Sequence, residues 1–214
     1  MLKLYTWTTP NGFKVPILLE ELGLEYEICP ININKGEQKT PAFLAMNPNH
    51  KIPVLVDDSI TLAESGAILV YLADKHGKFL PKDGSDRYVA LQWLFFQVGS
   101  VGPMFGQANH FLKHAPEQIP YGIKRYTKEA NRLMAVMNTR LADADYLGGD
   151  YSIADVANWP WVNKGISNGY VVLDEYTNVA RWYKAIESRS AVTAAYGKTK
   201  KICKGPAVCE PTFN

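Results

Sequence analysis

The hydrophobic pattern of this chain changes near residue 77, and that change limits the possible folds more than any other feature. Before it, short runs rich in β-branched and aromatic residues alternate with helical patterns. After it, the strand patterns stop and the long apolar patterns all have a helical period. Residues 78–87 contain Pro, Gly and Asp, which is typical of a linker. We therefore expect an α/β domain at residues 1–78 and an all-helical domain at residues 87–214.

The first part has the order strand, helix, strand, helix, strand, strand, helix. Pro16 is expected only in the first turn of its helix, so that helix should begin near Asn11 or Gly12. About eighty residues in this order favour a thioredoxin-like fold, with parallel pairing of the first two strands and a closing hairpin. The segments that carry these elements are "LKLYTW", "FKVPILLEELGL", "YEICPININ", "TPAFLAMNP", "IPVLVDD", "ITLAES" and "SGAILVYLADKHG".

The second part contains four helical segments, at residues 88–105, 121–143, 152–168 and 178–200. Ser152 followed by Asp155 predicts a capping box, which is a folding device and not a catalytic pair. Two further features concern a possible pocket. Three glycines with a proline (Gly99, Gly102, Pro103 and Gly106) predict a broken or kinked helix. Five aromatic residues either line a co-substrate pocket or belong to the core: Phe95, Phe96, Phe105, Trp159 and Trp161.

Composition and charge exclude several classes of function. The chain is 47% apolar and 21% charged, which is enough for a packed core. A net charge of +2 and a single short basic run, "KTKKICK", give no reason to expect nucleic acid as a partner. No apolar run approaches the roughly 18 residues of a membrane span, and no signal-peptide pattern opens the chain. We expect a cytoplasmic protein with neither a nucleic-acid nor a membrane partner.

The residues that usually hold metals or form disulfides show no such pattern. Three cysteines, at positions 29, 203 and 209, are an odd number, which favours a reducing compartment without a disulfide framework. Cys203 and Cys209 could still pair on oxidation. His110 and His114 are four residues apart but lack a third ligand, so no metal site is predicted. Nucleotide-binding and serine-hydrolase motifs are absent from the sequence.

Two short stretches suggest a site for a small peptide. Ile52-Pro53 precedes a strand and is a candidate for a cis bond, which would turn the Ile52 backbone outward to pair with an extended peptide. Ser65 is a candidate N-cap at a positive helix end that can bind a carboxylate, and Glu64 beside it can accept from an ammonium group. Together they describe a peptide with a free amino-acid end. The alternative is that Pro53 only ends a loop and Ser65 only caps a helix.

These motifs and the two-domain order resemble the cytosolic glutathione transferases over about residues 2 to 195. Within that family the chain is most similar to the bacterial Nu-class enzymes and to the related fungal transferases that resemble a prion-forming nitrogen repressor. The resemblance is carried by "KIPVLVDD", "ESGAIL", "SIAD", "TTPNG", "LQWLFFQVG", "GPMFGQ", "IPYGIKRY" and "YLGGDYSIADVANWPWV".

The resemblance implies glutathione as the co-substrate, a homodimer, and a set of binding residues. Ile52 would pair with the cysteinyl backbone of glutathione, Glu64 and Ser65 would hold its γ-glutamyl head, and Asn11 would lie near its sulfur. Lys51 and Gln38 would approach its glycyl carboxylate. Arg125, in "IKRY", would reach across the dimer to a glutathione of the other subunit.

The turn "TTPNG" raises a chemical question, because no cysteine precedes position 29. The reacting thiol would belong to glutathione, and a free thiol with a pKa of about 8.5 is only a few per cent thiolate at pH 7. Thr9 and Asn11, at a helix N-terminus, would favour the thiolate by hydrogen bonds and dipoles, without proton transfer. Tyr5 lies too early, inside the strand. Asn11 could also be a simple N-cap.

Nu-type relatives favour disulfide exchange, so the resemblance implies glutathione-dependent reduction of small disulfides through a mixed disulfide. Modest transferase or peroxidase activity could accompany it. Two other functions stay open at this point. One is conjugation of glutathione to electrophiles, and the other is glutathione binding by a regulator without enzymatic activity.

Overall fold

The structure is a computed structural model that describes residues 1–58 and 60–204. The predicted order of elements in the first part is confirmed. The strands are β1 (Leu2–Thr6), β2 (Tyr26–Pro30), β3 (Val54–Asp57) and β4 (Ile60–Ala63). The helices are α1 (Pro10–Leu22), α2 (Pro41–Met46), α3 (Ser65–His76), α4 (Gly84–Phe96), α5 (Gly102–Lys113), α6 (Pro120–Arg140), α7 (Ile153–Ser167), α8 (Thr177–Glu187) and α9 (Ser190–Cys203).

The chain divides into two compact units. The first combines residues from Met1 to His76 with the chain from Arg189 onward, and the second runs from Gly77 to Ser188. The helix α9 therefore belongs with the thioredoxin-like unit, although it follows the helical unit in sequence. The expected domain limits of 1–78 and 87–214 stay a prediction.

The first unit is built on a four-stranded mixed sheet in the order β2-β1-β3-β4. β1 pairs with β2 in parallel, whereas β3 is antiparallel to both β1 and β4. Tyr5 lies opposite both Cys29 and Val54, and Val54 lies opposite Ala63. This register places the ends of β1, β2 and β4 and the start of β3 along one edge of the sheet.

Side chains on the two faces of the sheet are buried in alternation. Tyr5, Cys29 and Val54 form one cluster with Phe43 of α2, and all four are at most 2% exposed. Leu4, Ile28 and Leu55 precede or follow these residues on the strands, so they point to the opposite face, and they are also buried. The helices α1 and α3 pack against each other. Both faces therefore carry apolar side chains in a core.

The position of Pro16 differs from the prediction. The helix α1 begins at Pro10, so Pro16 lies two turns inside it. In a regular helix the residue at position 16 would donate its N–H to the Gly12 carbonyl, and proline has no N–H to donate. The buried Thr6 hydroxyl donates to that carbonyl instead, at 2.9 Å. A side chain from β1 thus replaces the missing backbone donor, which sequence periodicity could not indicate.

The helix α9 packs on α1 through stacking and ion pairs. The rings of Phe13 and Tyr196 stack with centroids 3.8 Å apart. Arg189 donates two hydrogen bonds to the Glu21 carboxylate, at 2.6 and 2.9 Å. A bidentate, partly buried pair of this kind is among the stronger side-chain interactions.

The helical unit confirms two local predictions. A π-helical turn at Gln97–Val101 separates α4 from α5, and Pro103 lies in the first turn of α5, so the helix is interrupted where the glycines predicted. The capping box of α7 forms between Ser152 and Asp155. The Asp155 carboxylate also accepts from the Trp182 Nε1–H at 2.8 Å. The segment at residues 178–200 forms two helices, α8 and α9.

The sequence predicted no membrane-spanning helix, no metal site and no disulfide framework. Within residues 1–58 and 60–204, no helix is long and apolar enough to cross a membrane. The same residues contain no group of side chains that could hold a metal ion. Cys29 and Cys203 are buried, and neither is in a disulfide within residues 1–58 and 60–204. Cys209 lies outside the described residues, so a pairing with Cys203 stays a prediction.

Candidate functional site

The predicted binding segments of the first unit lie at one edge of the sheet, where β1, β2 and β4 end and β3 begins. Thr9 follows the end of β1, Ile52 precedes the start of β3, and Glu64 follows the end of β4. Because β1 is antiparallel to β3 and β3 to β4, the three segments emerge at the same edge. Residues far apart in sequence therefore surround one region.

The turn after β1 is organised by Thr9, which is the N-cap of α1. Its Oγ1 accepts a hydrogen bond from the Gly12 N–H at 3.1 Å, and its own N–H donates to the Trp7 carbonyl at 2.7 Å. Asn11 is the second residue of the helix, so the alternative that Asn11 is the N-cap is wrong. Thr9 thus caps a 13-residue helix, and Asn11 lies in the first turn of that helix.

This turn favours a negative charge placed before it. A hydroxyl has one proton and two lone pairs, so Thr9 can accept from Gly12 and still donate its proton to an anion. The N-terminus of α1 adds the positive end of the helix dipole. The roles of Thr9 and Asn11 toward a glutathione thiolate stay a prediction.

The loop before β3 is held by Asn47, which is 4% exposed. Its Nδ2 donates to the Lys51 carbonyl at 2.8 Å, and its Oδ1 accepts from the Asn49 N–H at 3.0 Å. The Ile52-Pro53 bond is cis, as predicted. Within the described part of the chain, the Ile52 backbone forms no hydrogen bond, so its N–H and C=O are available to a ligand. Sequence reasoning missed the role of Asn47 in positioning this loop.

The start of α3 differs from the prediction in one residue. Ser65 is the first residue of the helix, and Glu64 is the N-cap, because the Glu64 carbonyl accepts from the Ile68 N–H at 3.0 Å. Glu64 has a φ of 67°, in the left-handed region that non-glycine residues seldom adopt. The prediction of Ser65 as N-cap was therefore wrong. Its hydroxyl lies instead in the first turn, and its side chain is buried.

A buried lysine lies behind this helix start, and sequence reasoning missed it. Lys14 is 2% exposed, and its Nζ donates to the Ser65 Oγ at 3.4 Å. Burial lowers the pKa of Lys14 to about 7, although the negative charge of Glu64 acts to raise it. One signal was available. Lys14 lies in "FKVPILL", where its neighbours have the apolar pattern of a fully buried helix segment.

Two predicted binding residues are less constrained by the structure. Gln38 lies in the 3₁₀ turn Glu37–Lys39, and its buried Oε1 has no hydrogen-bond partner among the described residues. Arg125 is exposed on α6 in the other unit, with its guanidinium 6.0 Å from the Tyr126 ring centroid. It borders an open cavity of about 660 Å³ lined by Met104, Tyr121, Lys124, Arg125, Tyr126, Lys128, Glu129 and Arg132. Their roles toward glutathione stay predictions.

The aromatic residues considered for a co-substrate pocket divide into two groups. Phe105, Trp159 and Trp161 are at most 9% exposed, which fits the alternative of core packing. Trp159, for example, stacks on Tyr183 and donates its Nε1–H to the Tyr183 carbonyl at 3.1 Å. The second group is more accessible, because Phe95 is 66% exposed and Phe96 is half-buried.

Comparison with known proteins identifies the family. The glutathione S-transferase N-terminal domain family matches residues 1–74, and the glutathione S-transferase C-terminal domain family matches residues 90–190. The chain belongs to the glutathione S-transferase family. The family resemblance predicted from the sequence motifs is confirmed, as is the two-part fold.

Three relatives illustrate the comparison. The disulfide-bond oxidoreductase YfcG of Escherichia coli strain K12 is 46% identical over 208 residues, which cover 94% of this chain and 96% of the relative. A glutathione transferase structure from Burkholderia graminis, with two glutathione molecules bound per subunit, is 42% identical, with a TM-score of 0.88 and coverage of 94% and 89%. The URE2P8 transferase of Phanerochaete chrysosporium, with oxidised glutathione, is 30% identical, with a TM-score of 0.89 and coverage of 96% and 97%.

Proposed function

We propose that this protein reduces small disulfides with glutathione, and that the reacting sulfur is supplied by glutathione and not by the protein. The observation that carries the proposal is the single sheet edge where the capped start of α1, the Ile52 backbone without a hydrogen bond among the described residues, and the N-terminus of α3 meet. Structural relatives of high similarity contain glutathione or its oxidised form, and the relative YfcG is a disulfide-bond oxidoreductase.

The groups at this edge match the parts of glutathione. The N-terminus of α3 and the Ser65 hydroxyl suit the α-carboxylate of the γ-glutamyl head, and the exposed Glu64 carboxylate suits its ammonium group. The Ile52 N–H and C=O suit the cysteinyl backbone, as in the addition of a strand. Lys51, which is exposed on the same loop, suits the glycyl carboxylate. We include Gln38 in this set on the family resemblance.

The proposed reaction proceeds in two thiol–disulfide exchanges. The glutathione thiolate, stabilised by Thr9 and Asn11, attacks one sulfur of the substrate disulfide. The S–S bond breaks, a mixed disulfide forms, and the departing thiolate takes up a proton. A second glutathione thiolate then attacks the glutathione sulfur of the mixed disulfide. The products are glutathione disulfide and two thiols, so two glutathione molecules are oxidised for each disulfide reduced.

The test is the substitution Asn11→Ala with a model disulfide and glutathione. We expect kcat/KM to fall by about tenfold or more, because a thiolate-stabilising donor is lost. Asn34→Ala is the matched control, since Asn34 is an exposed asparagine of the same unit. Unchanged kinetics for Asn11→Ala would refute the assignment of this turn to sulfur chemistry.

A parallel assay separates the proposed reaction from its alternatives. The same protein is given glutathione and either a model disulfide or a chlorinated nitrobenzene. Faster turnover of the disulfide supports reduction, whereas faster turnover of the electrophile would identify a conjugating transferase. Binding of glutathione without turnover of either substrate would identify a regulator without enzymatic activity, and failure to bind glutathione at all would point to a different ligand.

We also propose a homodimer in which Arg125 of one subunit contacts glutathione held by the other. The exposed guanidinium of Arg125 and the neighbouring cations of α6 suit the carboxylates of glutathione. Sedimentation should give the mass of two chains, and Arg125→Ala should raise the KM for glutathione without changing that mass. A monomer in sedimentation would rule out the contact between subunits.

A further inference from the structure

We propose that Lys14 is a positioning residue that acts through Ser65 and couples the binding of glutathione to the uptake of a proton. The inference rests on the proposed function, because it concerns the same γ-glutamyl site. It adds to that site a residue that does not touch the ligand. It also predicts that the affinity for glutathione depends on pH.

The geometry places an ammonium group directly behind the helix start that would receive the ligand carboxylate. Lys14 reaches from α1 to the first turn of α3, where its Nζ lies 3.4 Å from the Ser65 Oγ. Ser65 itself is only 8% exposed and Lys14 only 2%. Both partners of this hydrogen bond are therefore shielded from solvent.

The hydrogen bond fixes the direction in which the Ser65 hydroxyl can donate. A lysine ammonium group only donates, so the Ser65 oxygen must be the acceptor of this bond. The single hydroxyl proton of Ser65 then points elsewhere, and a carboxylate in front of α3 can accept it. In a buried site the lysine charge also attracts that carboxylate more strongly than it would in water.

The same burial makes the lysine titratable in the neutral range. Burial lowers the pKa of Lys14 to about 7, so a substantial fraction of the free protein has a neutral lysine there at pH 7 to 8. A carboxylate bound at Ser65 favours the charged form and raises the pKa of Lys14. Binding must then take up a proton, and by linkage the affinity must fall as pH rises through this range.

The charged groups around Lys14 are consistent with this coupling. Two helices, α3 and α9, pack against α1, and the charge that acts on the pKa of Lys14 is that of Glu64, just before α3. The other titratable side chains of these helices are Tyr71, Asp74, Lys75, His76, Tyr196, Lys198, Lys200, Lys201 and Cys203. Of these, Lys75 pairs with Asp57 and Lys198 with Glu20.

The experiment uses S-methylglutathione, which has no ionisable thiol, so that proton uptake by the protein is not hidden by thiol ionisation. Calorimetric titrations at pH 7 in buffers of different ionisation enthalpy should give an uptake of roughly half a proton per ligand, since the free lysine is about half protonated. Between pH 6.5 and 8.5 the Kd should rise by about tenfold.

The variant Lys14→Met should bind more weakly at pH 6.5 and lose both the pH dependence of Kd and the extra proton uptake. Lys201→Met is the matched control, because it removes one positive charge from an exposed position of the same unit, and it should behave like the wild type. Proton uptake by the wild type is measured without any variant, so the proposal can still be tested if Lys14→Met does not fold.

The possible results are distinguishable. Binding without proton uptake, or the same pH dependence in Lys14→Met as in the wild type, would overturn the role of Lys14 while leaving the glutathione site intact. No binding of S-methylglutathione to the wild type at any pH would overturn the proposed function, and the role of Lys14 would fall with it.

Discussion

The Oγ1 atom of Thr9 accepts a hydrogen bond from the Gly12 N–H at 3.1 Å, so one hydroxyl both caps α1 and remains able to donate outward. Helix capping and the proposed stabilisation of the glutathione thiolate therefore depend on the same atom. The two roles can be separated by measuring stability and activity on the same variants.

We expect Thr9→Val to lower the free energy of unfolding by about 1 kcal/mol, because the cap is lost. It should also lower kcat/KM for disulfide reduction by at least about tenfold, because the donor to sulfur is lost. Thr9→Ser, which keeps the hydroxyl, should retain most of both properties. Urea unfolding and steady-state kinetics check these outcomes. Full activity in Thr9→Val would show that the hydroxyl only caps the helix.

Gly12→Ala should be strongly destabilising. A Cβ at Gly12 would lie 1.9 Å from the Trp7 carbonyl oxygen and 2.8 Å from the Thr6 Oγ1, so the turn would have to move. We expect a loss of about 3 kcal/mol in the free energy of unfolding. Gly197→Ala is the matched control, since its Cβ would meet no atom within 4 Å and α9 should gain helix propensity. Equal effects of the two substitutions would contradict the tight turn.

Thr6→Val tests the hydroxyl that replaces the missing N–H of Pro16. The Gly12 carbonyl would lose its donor in a buried site, so we expect a loss of about 1–3 kcal/mol in the free energy of unfolding. Thr6→Ser should restore most of it. The double variant Thr6→Val with Pro16→Ala should recover part of the loss, because position 16 could then donate to Gly12. Thermal and urea unfolding would measure this, and no recovery in the double variant would argue against the replacement.

Glu64 allows its backbone and its carboxylate to be tested separately. Glu64→Gly relieves the left-handed conformation at φ 67° but adds chain entropy, so its stability should stay within about 1 kcal/mol of the wild type. Glu64→Gln keeps the unfavourable backbone. Both variants should bind glutathione about tenfold more weakly, because both lose the negative charge that pairs with its ammonium group. Wild-type affinity in either variant would remove Glu64 from the site.

Titration of Lys14 should make the free energy of unfolding depend on pH, and the direction of that dependence follows from its pKa. Its pKa is about 7 in the folded protein, against 10.5 for an exposed lysine. Between these values the unfolded chain binds more protons, so the contribution of Lys14 to stability rises with pH. The wild type should gain about 2 kcal/mol relative to Lys14→Met between pH 7 and 9, at about 1.4 kcal/mol per unit. Urea unfolding of both proteins at several pH values checks the difference, and a flat difference would mean that Lys14 does not titrate in this range.

The sequence alone determined the features that depend on neighbours along the chain. The periodicities located the strands and helices of residues 1–76. The pairing of Ser152 with Asp155 located the start of α7, because a capping box is closed within one turn. Motifs in continuous segments were enough to predict the family, and the pattern around Ile52-Pro53 indicated the cis bond.

Only the tertiary structure decided which groups from distant segments meet. Pro16 could lie deep within α1 because a hydroxyl from β1 replaced its missing N–H. Lys14 could be identified as part of the candidate site only once α1 and α3 were packed, 51 residues apart in sequence. The last helix joined the first unit through Arg189 and Glu21. Hydrogen bonds, burial and pKa values depend on neighbours in space, and those neighbours are chosen by the packing of the whole unit.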